Sequence, residues 1–164
     1  NLYSKGIFKE SEKFNPYNKT TRYQFSLMLY RALDLEVPAT TDFKDIAKLD
    51  AEAQSAIKAL NKLGVINGVN KETFAPYNNI TRAQTAKMVY RLLVSNGYQD
   101  KANATMPFSD VSATDAELNK AAAQLNALGI MTGSNGKLNP NAPLTRDQMS
   151  KVLNNALQAL EGLK

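Results

Sequence analysis

Three arginines share one setting: Thr21-Arg22-Tyr23-Gln24, Thr81-Arg82-Ala83-Gln84 and Thr145-Arg146-Asp147-Gln148. A proline stands five residues ahead of each threonine, at Pro16, Pro76 and Pro140. A guanidinium is a planar, permanently charged fork that meets a carboxylate or phosphate with two parallel hydrogen bonds. Other chemistry is narrowed by what the chain lacks. It has no histidine and no cysteine, which removes serine–histidine and cysteine–histidine catalysis, thiolate metal sites and disulfides. No cofactor or metal site is expected, and no acidic loop of the calcium-binding helix-loop-helix type is present. What the spacing offers is recognition of an anion, repeated.

The element that must carry each arginine is a helix. Threonine followed three residues later by glutamine is a capping box: the hydroxyl accepts from a first-turn amide and the glutamine returns to the amide of the threonine. The arginine then falls at the first helical position, where the peptide dipoles place partial positive charge. A cation there is disfavoured by roughly 0.3 to 1 kcal/mol unless an anion lies close. Two partners are open. Asp45 and Asp110 could reach the arginine of a neighbouring unit as an internal ion pair. Alternatively the guanidinium, with free amides at the helix start, could bind an external carboxylate or phosphate.

The phrase recurs at a period of roughly 60 residues, the mark of a tandem array of one supersecondary unit. Phe43-Lys44-Asp45-Ile46 matches Phe108-Ser109-Asp110-Val111, and Leu63-Gly64-Val65 matches Leu128-Gly129-Ile130. Gly6-Ile7 and Phe14-Asn15-Pro16 match the later part of these units, but nothing upstream of Gly6 supplies the start of one. Three repeats follow, 1–34 (partial), 43–94 and 108–160, in one domain over 1–164. The opening at Asn1, without methionine, suggests a processed or excised piece trimmed inside a unit.

Each full unit reads as two helices. Ala53, Ala56, Ile57, Leu60 and Leu63 recur at helical steps in the first, matched by Leu118, Ala121, Ala122, Leu125 and Leu128. Asp50 and Asp115 are the expected N-caps, Thr114 with Glu117 a further capping box, and Gly64 and Gly129 the helix ends. The second helices carry Phe25, Met28, Leu29, Ala32 and Leu33; Thr85, Met88, Val89, Leu92 and Leu93; and Met149, Val152, Leu153, Ala156 and Leu157. Three equivalent stripes predict an all-α fold, three helix-loop-helix repeats packed about a pseudo-threefold axis. The connections, 68–79 and 133–143, are too short for a substantial sheet, and the stretches with Pro38 and Gly97 are too short for flexible tethers.

Composition fits a compact body: 164 residues, 43% hydrophobic, net charge +5. No apolar run is long enough to insert into a membrane. The charge favours an anionic partner, yet no basic run points to nucleic acid.

Phe-x-Asp-Ile/Val, a first helix, Leu-Gly-Val/Ile, a glycine three residues on, Phe/Leu-x-Pro and then Ile80-Thr81-Arg82-Ala83-Gln84 before a second helix resemble the S-layer homology domain. The resemblance covers almost the whole chain. It implies a helical spindle that anchors exported proteins non-covalently to the bacterial cell surface by binding secondary cell-wall polysaccharide, an anionic polymer that can carry a pyruvate ketal. It also implies binding grooves between adjacent repeats: Arg22, Arg82 and Arg146 on the ketal carboxylate, Asp45 and Asp110 orienting arginine or accepting sugar hydroxyls, and Gly68 and Gly133 letting the saccharide approach the backbone. The family commonly has a tryptophan near the start of the first helix, where Glu52 and Glu117 stand here; a carboxylate there would repel an acidic ligand. Tyr17 and Tyr77 could supply aromatic contact instead, though Asn141 replaces them in the third unit. That makes the Arg22 and Arg82 grooves better candidates than that of Arg146.

The function expected is therefore a non-catalytic, extracellular anchoring module. The alternative is protein–protein interaction or lattice self-assembly through the parent protein. An enzyme using paired acids such as Asp45 and Glu52 on a glycosidic bond stands last, because those acids recur as helix-start residues and are explained by capping.

Overall fold

A computed structural model describes residues 17–34 and 40–164. The expectations placed on Gly6-Ile7, Phe14-Asn15-Pro16 and Pro38 lie outside the described residues. Among the described residues the chain forms five α-helices and no strand: α1 (Arg22–Leu33), α2 (Ala51–Lys62), α3 (Arg82–Ser95), α4 (Ala116–Ala127) and α5 (Arg146–Glu161). The fold is all-α, as the periodicity predicts.

Local chemistry sets the helix starts. Thr21, Thr81 and Thr145 cap α1, α3 and α5, each with a complete capping box from Gln24, Gln84 and Gln148. Asp50 and Asp115 cap α2 and α4 by accepting from the Ala53 and Leu118 amides at 2.8 and 3.0 Å. Each such cap contributes about 1 kcal/mol. Thr114 is not part of a box; its hydroxyl pairs with that of Ser112 at 2.8 Å, because Asp115 already holds the cap position. Gly64 and Gly129 follow the first helices at φ +75° and +72°, a left-handed turn that suits a residue without a side chain.

The apolar stripes become the core. Phe25, Leu29, Ile57, Leu60, Leu92, Leu93 and Leu125 are fully buried. Leu63 is an exception: it caps α2 as the chain leaves the helix, and is 40% exposed. The two helices of one sequence repeat do not pack on each other. Instead α2 packs on α1 and α4 on α3, so each first helix leans on the second helix of the preceding repeat, while α1 and α3 both touch α5.

A backbone ring closes the array. The Thr20 amide donates to the Leu144 carbonyl, Leu144 to Ile80, and Ile80 back to Thr20, at 2.8, 2.9 and 2.8 Å. Outside it lies a second ring: Arg22 to Asn78, Arg82 to Ala142 and Arg146 to Asn18, at 2.8, 2.9 and 2.8 Å. The second ring runs from each unit to the next and from the third back to the first, the first ring runs the opposite way round, and together they make the expected pseudo-threefold arrangement. Thr20, Ile80 and Leu144 are all fully buried at this closure. The Thr20 hydroxyl has no hydrogen-bond partner there.

Candidate ligand-binding grooves between the units

The rings have a chemical consequence at the helix starts. The Arg22 amide donates to Asn78, Tyr23 to Pro76, and Gln24 to the Thr21 hydroxyl. In α3, Arg82 donates to Ala142, Ala83 to Pro140, and Gln84 to Thr81. At α1 and α3 the expectation of free first-turn amides for an external anion is therefore corrected: the neighbouring unit's carbonyls take the first two and the capping threonine takes the third. At these two helix starts the side chains are left to recognise a ligand.

Arg22 is 7% exposed. Its Nε donates to the Phe74 carbonyl and one terminal nitrogen to the Asn67 carbonyl, both at 3.0 Å, while the guanidinium lies 4.7 Å from the centroid of the Phe74 ring. Burial pushes Arg22 below its usual pKa, and the charge of Asp45 opposes that shift. No ion pair joins Arg22 to Asp45 among the described residues, so the internal pair anticipated from sequence takes another form. Asp45 accepts from the Phe74 and Ala75 amides at 2.9 and 2.8 Å. Aspartate and arginine thus grip one peptide segment from its two polar sides.

The grip recurs one unit later. Asp110 accepts from the Leu138 and Asn139 amides, both at 2.9 Å, and Arg82 Nε donates to the Leu138 carbonyl at 2.6 Å. Burial raises the Asp110 pKa, but the two amides and Lys137 outweigh it and hold the carboxyl below its usual range. Burial also lowers Arg82, with Asp110 opposing. The gripped residues Ala75 and Asn139 both sit in the left-handed region, at φ 59° and 56°.

The arginines nevertheless differ. Arg82, with Gly133 and Lys151, lines a groove of about 360 Å³ between α3 and the third unit. Thr132, Ser134, Asn139, Gln148 and Asn155 add hydroxyl and amide groups, and Ile130, Met131 and Val152 an apolar floor. Such a lining offers two cations and many hydrogen-bonding groups to a hydroxylated anion. Arg146 sits half-buried at the start of α5.

The remaining predicted residues fall around these seams. Gly68 and Gly133 are spaces for aromatic rings: a Cβ at either would come 2.4 Å from Phe43 or Phe108. This packing accounts for both glycines, and Gly133 also borders the Arg82 groove. Tyr17 is 86% and Tyr77 58% exposed. Tyr77 meets Tyr23 edge-to-face across the first seam, with centroids 5.7 Å apart.

Sequence reasoning missed one recurrent pair. Arg31 binds Glu52, with Nε at 3.0 Å and a terminal nitrogen at 2.6 Å from the same oxygen, and Arg91 makes a bidentate pair with Glu117. These contacts join α1 to α2 and α3 to α4. The glutamates at the family's tryptophan position are thus ion-paired across the seams rather than presented as lone charges. The signal was there: Arg31 and Arg91, each preceded by a tyrosine, recur ten residues past their capping threonines, as the glutamates recur two past Asp50 and Asp115.

Known proteins resemble this chain in sequence. The S-layer homology domain profile matches residues 42–86 and 107–150. The chain is 32% identical over 152 residues to the surface-layer 125 kDa protein of Lysinibacillus sphaericus, covering 90% of this chain and 12% of that protein. It is 28% identical to S-layer protein EA1 of Bacillus anthracis (93% of this chain, 18% of that protein) and 32% identical to an endoglucanase of Bacillus sp. strain KSM-635 (88% and 15%). The chain spans less than a fifth of each of these relatives. Twice matched by its profile over half of its length, the chain belongs to the S-layer homology domain family, a non-catalytic anchoring domain of the bacterial cell surface.

Proposed function

We propose that the Arg82 groove binds an anionic secondary cell-wall polysaccharide, and that this binding tethers the protein of which the domain is part to the cell surface. The observation that carries the reading is the groove itself. Arg82 uses Nε on the Leu138 carbonyl and borders a cleft of about 360 Å³, which Lys151 also lines among hydroxyl and amide side chains. A carboxylate on a sugar, such as a pyruvate ketal, matches the guanidinium fork, while the ring hydroxyls match the amides.

Two catalytic-looking acids are otherwise engaged, Asp45 with backbone amides and Glu52 with Arg31. The test is sedimentation with purified cell-wall sacculi. The domain should co-sediment with intact sacculi and stay in solution once wall polysaccharide is extracted. Arg82→Gln should weaken binding about tenfold or more while the helical circular dichroism is unchanged. Co-sedimentation indifferent to the extraction would refute the reading.

A further inference from the structure

The first two seams are built from the same parts and yet present their arginines differently. Asp45 and Asp110 make the same two amide contacts, and Gly68 and Gly133 receive the same kind of ring. One difference lies directly against the guanidinium. Phe74, two residues before Pro76, places its ring beneath Arg22; the matching residue before Pro140 is Leu138, which has no π face.

A cation over an aromatic ring is attracted by the ring quadrupole, most strongly where water is excluded. Phe74 is 1% exposed. Held over that ring, Arg22 turns Nε and a terminal nitrogen onto two carbonyls, Phe74 and Asn67. Arg82, with a leucine in the place of Phe74, keeps the first of these bonds and not the second: its hydrogen bond is to the Leu138 carbonyl, and the Asn67 counterpart, Thr132, lines the groove instead.

We infer that the residue two before the loop proline decides whether a seam's arginine is sequestered or presented: Phe74 commits Arg22 to the fold, and Leu138 leaves Arg82 to a ligand. The ligand half rests on the reading under Proposed function. Of the two seams, only the second then takes an anionic group, although both carry the Thr-Arg-x-Gln phrase.

Phenylglyoxal, which modifies accessible guanidinium groups, tests this on the folded chain with peptide mass spectrometry as readout. Arg82 should react about tenfold faster than Arg22. Phe74→Leu should bring Arg22 to within about threefold of Arg82, and Leu138→Phe should slow Arg82 by a similar factor. Thermal melting checks that each variant is folded; should Leu138→Phe fail, Phe74→Leu decides alone. Equal wild-type rates overturn the inference. So does a Tyr77→Asn variant that exposes Arg22 as fully as Phe74→Leu, since the cover would then be the tyrosine.

A second arm adds a methyl hexoside bearing a 4,6-pyruvate ketal, with the unsubstituted glycoside as control. Protection of Arg82 but not Arg22 by the ketal alone is expected. Equal protection of both overturns the inference. Protection of neither refutes the anionic-sugar reading, while the difference in bare reactivity still judges the role of Phe74.

Discussion

Single residues in this fold carry opposite signs of stability. Arg22 satisfies two carbonyls in a nearly dry seam, and Arg22→Met would leave both without that donor. A loss of about 2 to 3 kcal/mol is expected in urea unfolding, with a smaller loss for Arg82→Met, which gives up a single bond. Ala75 holds a left-handed backbone that costs a residue with a Cβ of order 1 kcal/mol, where Asn139 stands in the next unit. Ala75→Asn should therefore raise the thermal midpoint by about 2 °C. Thr20→Val should also stabilise, by about 1 kcal/mol, since the hydroxyl it removes is buried and unpartnered. An unchanged or lower midpoint for both would show that these positions are not strained. The arginines were legible as a question and not as an answer. Their position at the helix start is fixed by the Thr and Gln around them, but the partners of Arg22 and Arg82 are backbone carbonyls of another unit, and a carbonyl leaves no mark in a sequence.

Between elements, charge does what the apolar stripes leave undone. The Arg31–Glu52 and Arg91–Glu117 pairs hold each first helix to the preceding second helix, and Lys87 adds an ion pair to Asp115 at 2.9 Å. Such partly exposed pairs are each worth about 0.5 to 1 kcal/mol, and a double-mutant cycle on Arg91 and Glu117 should return a coupling in that range. A coupling near zero would leave the seam to apolar packing alone. Asp115 and Asp110 both titrate below the usual carboxylate range. For Asp115 the hydrogen bond from Lys87 is the largest cause, followed by the Leu118 amide. A carboxyl depressed in the folded state stabilises above its unfolded pKa, about 4, and loses that contribution as pH falls through the folded value. Urea midpoints should be level from pH 7 to about 5 and fall below about pH 4, with a shallower fall in Asp110→Asn/Asp115→Asn. Helix boundaries were readable from caps and period, because both are local. Which helices pair was not: the sequence repeat suggests partners within a unit, whereas the structure pairs α1 with α2 and α3 with α4 across the repeat boundary.

At the scale of the molecule, the rings make the units one body. Every unit both gives backbone hydrogen bonds to and takes them from each of its two neighbours, so no unit is complete alone. Chemical unfolding should be a single cooperative transition, coincident by far-ultraviolet circular dichroism and tyrosine fluorescence, and two separated transitions would mean that the units fold independently. The threefold arrangement was legible from three equivalent stripes; the ring that enforces it was not. The bond from Thr20 to Leu144 also governs timing. It joins the start of the array to its last unit, and a contact so distant in the sequence requires closure of a long loop before any compensating interaction forms. Helices and their caps can appear early, but the circle shuts only once the third unit is available, so its closure is expected to set the folding rate. A chain still emerging from the ribosome or crossing a membrane holds an open arc, with Ile80 and Leu144 not yet sealed at the axis.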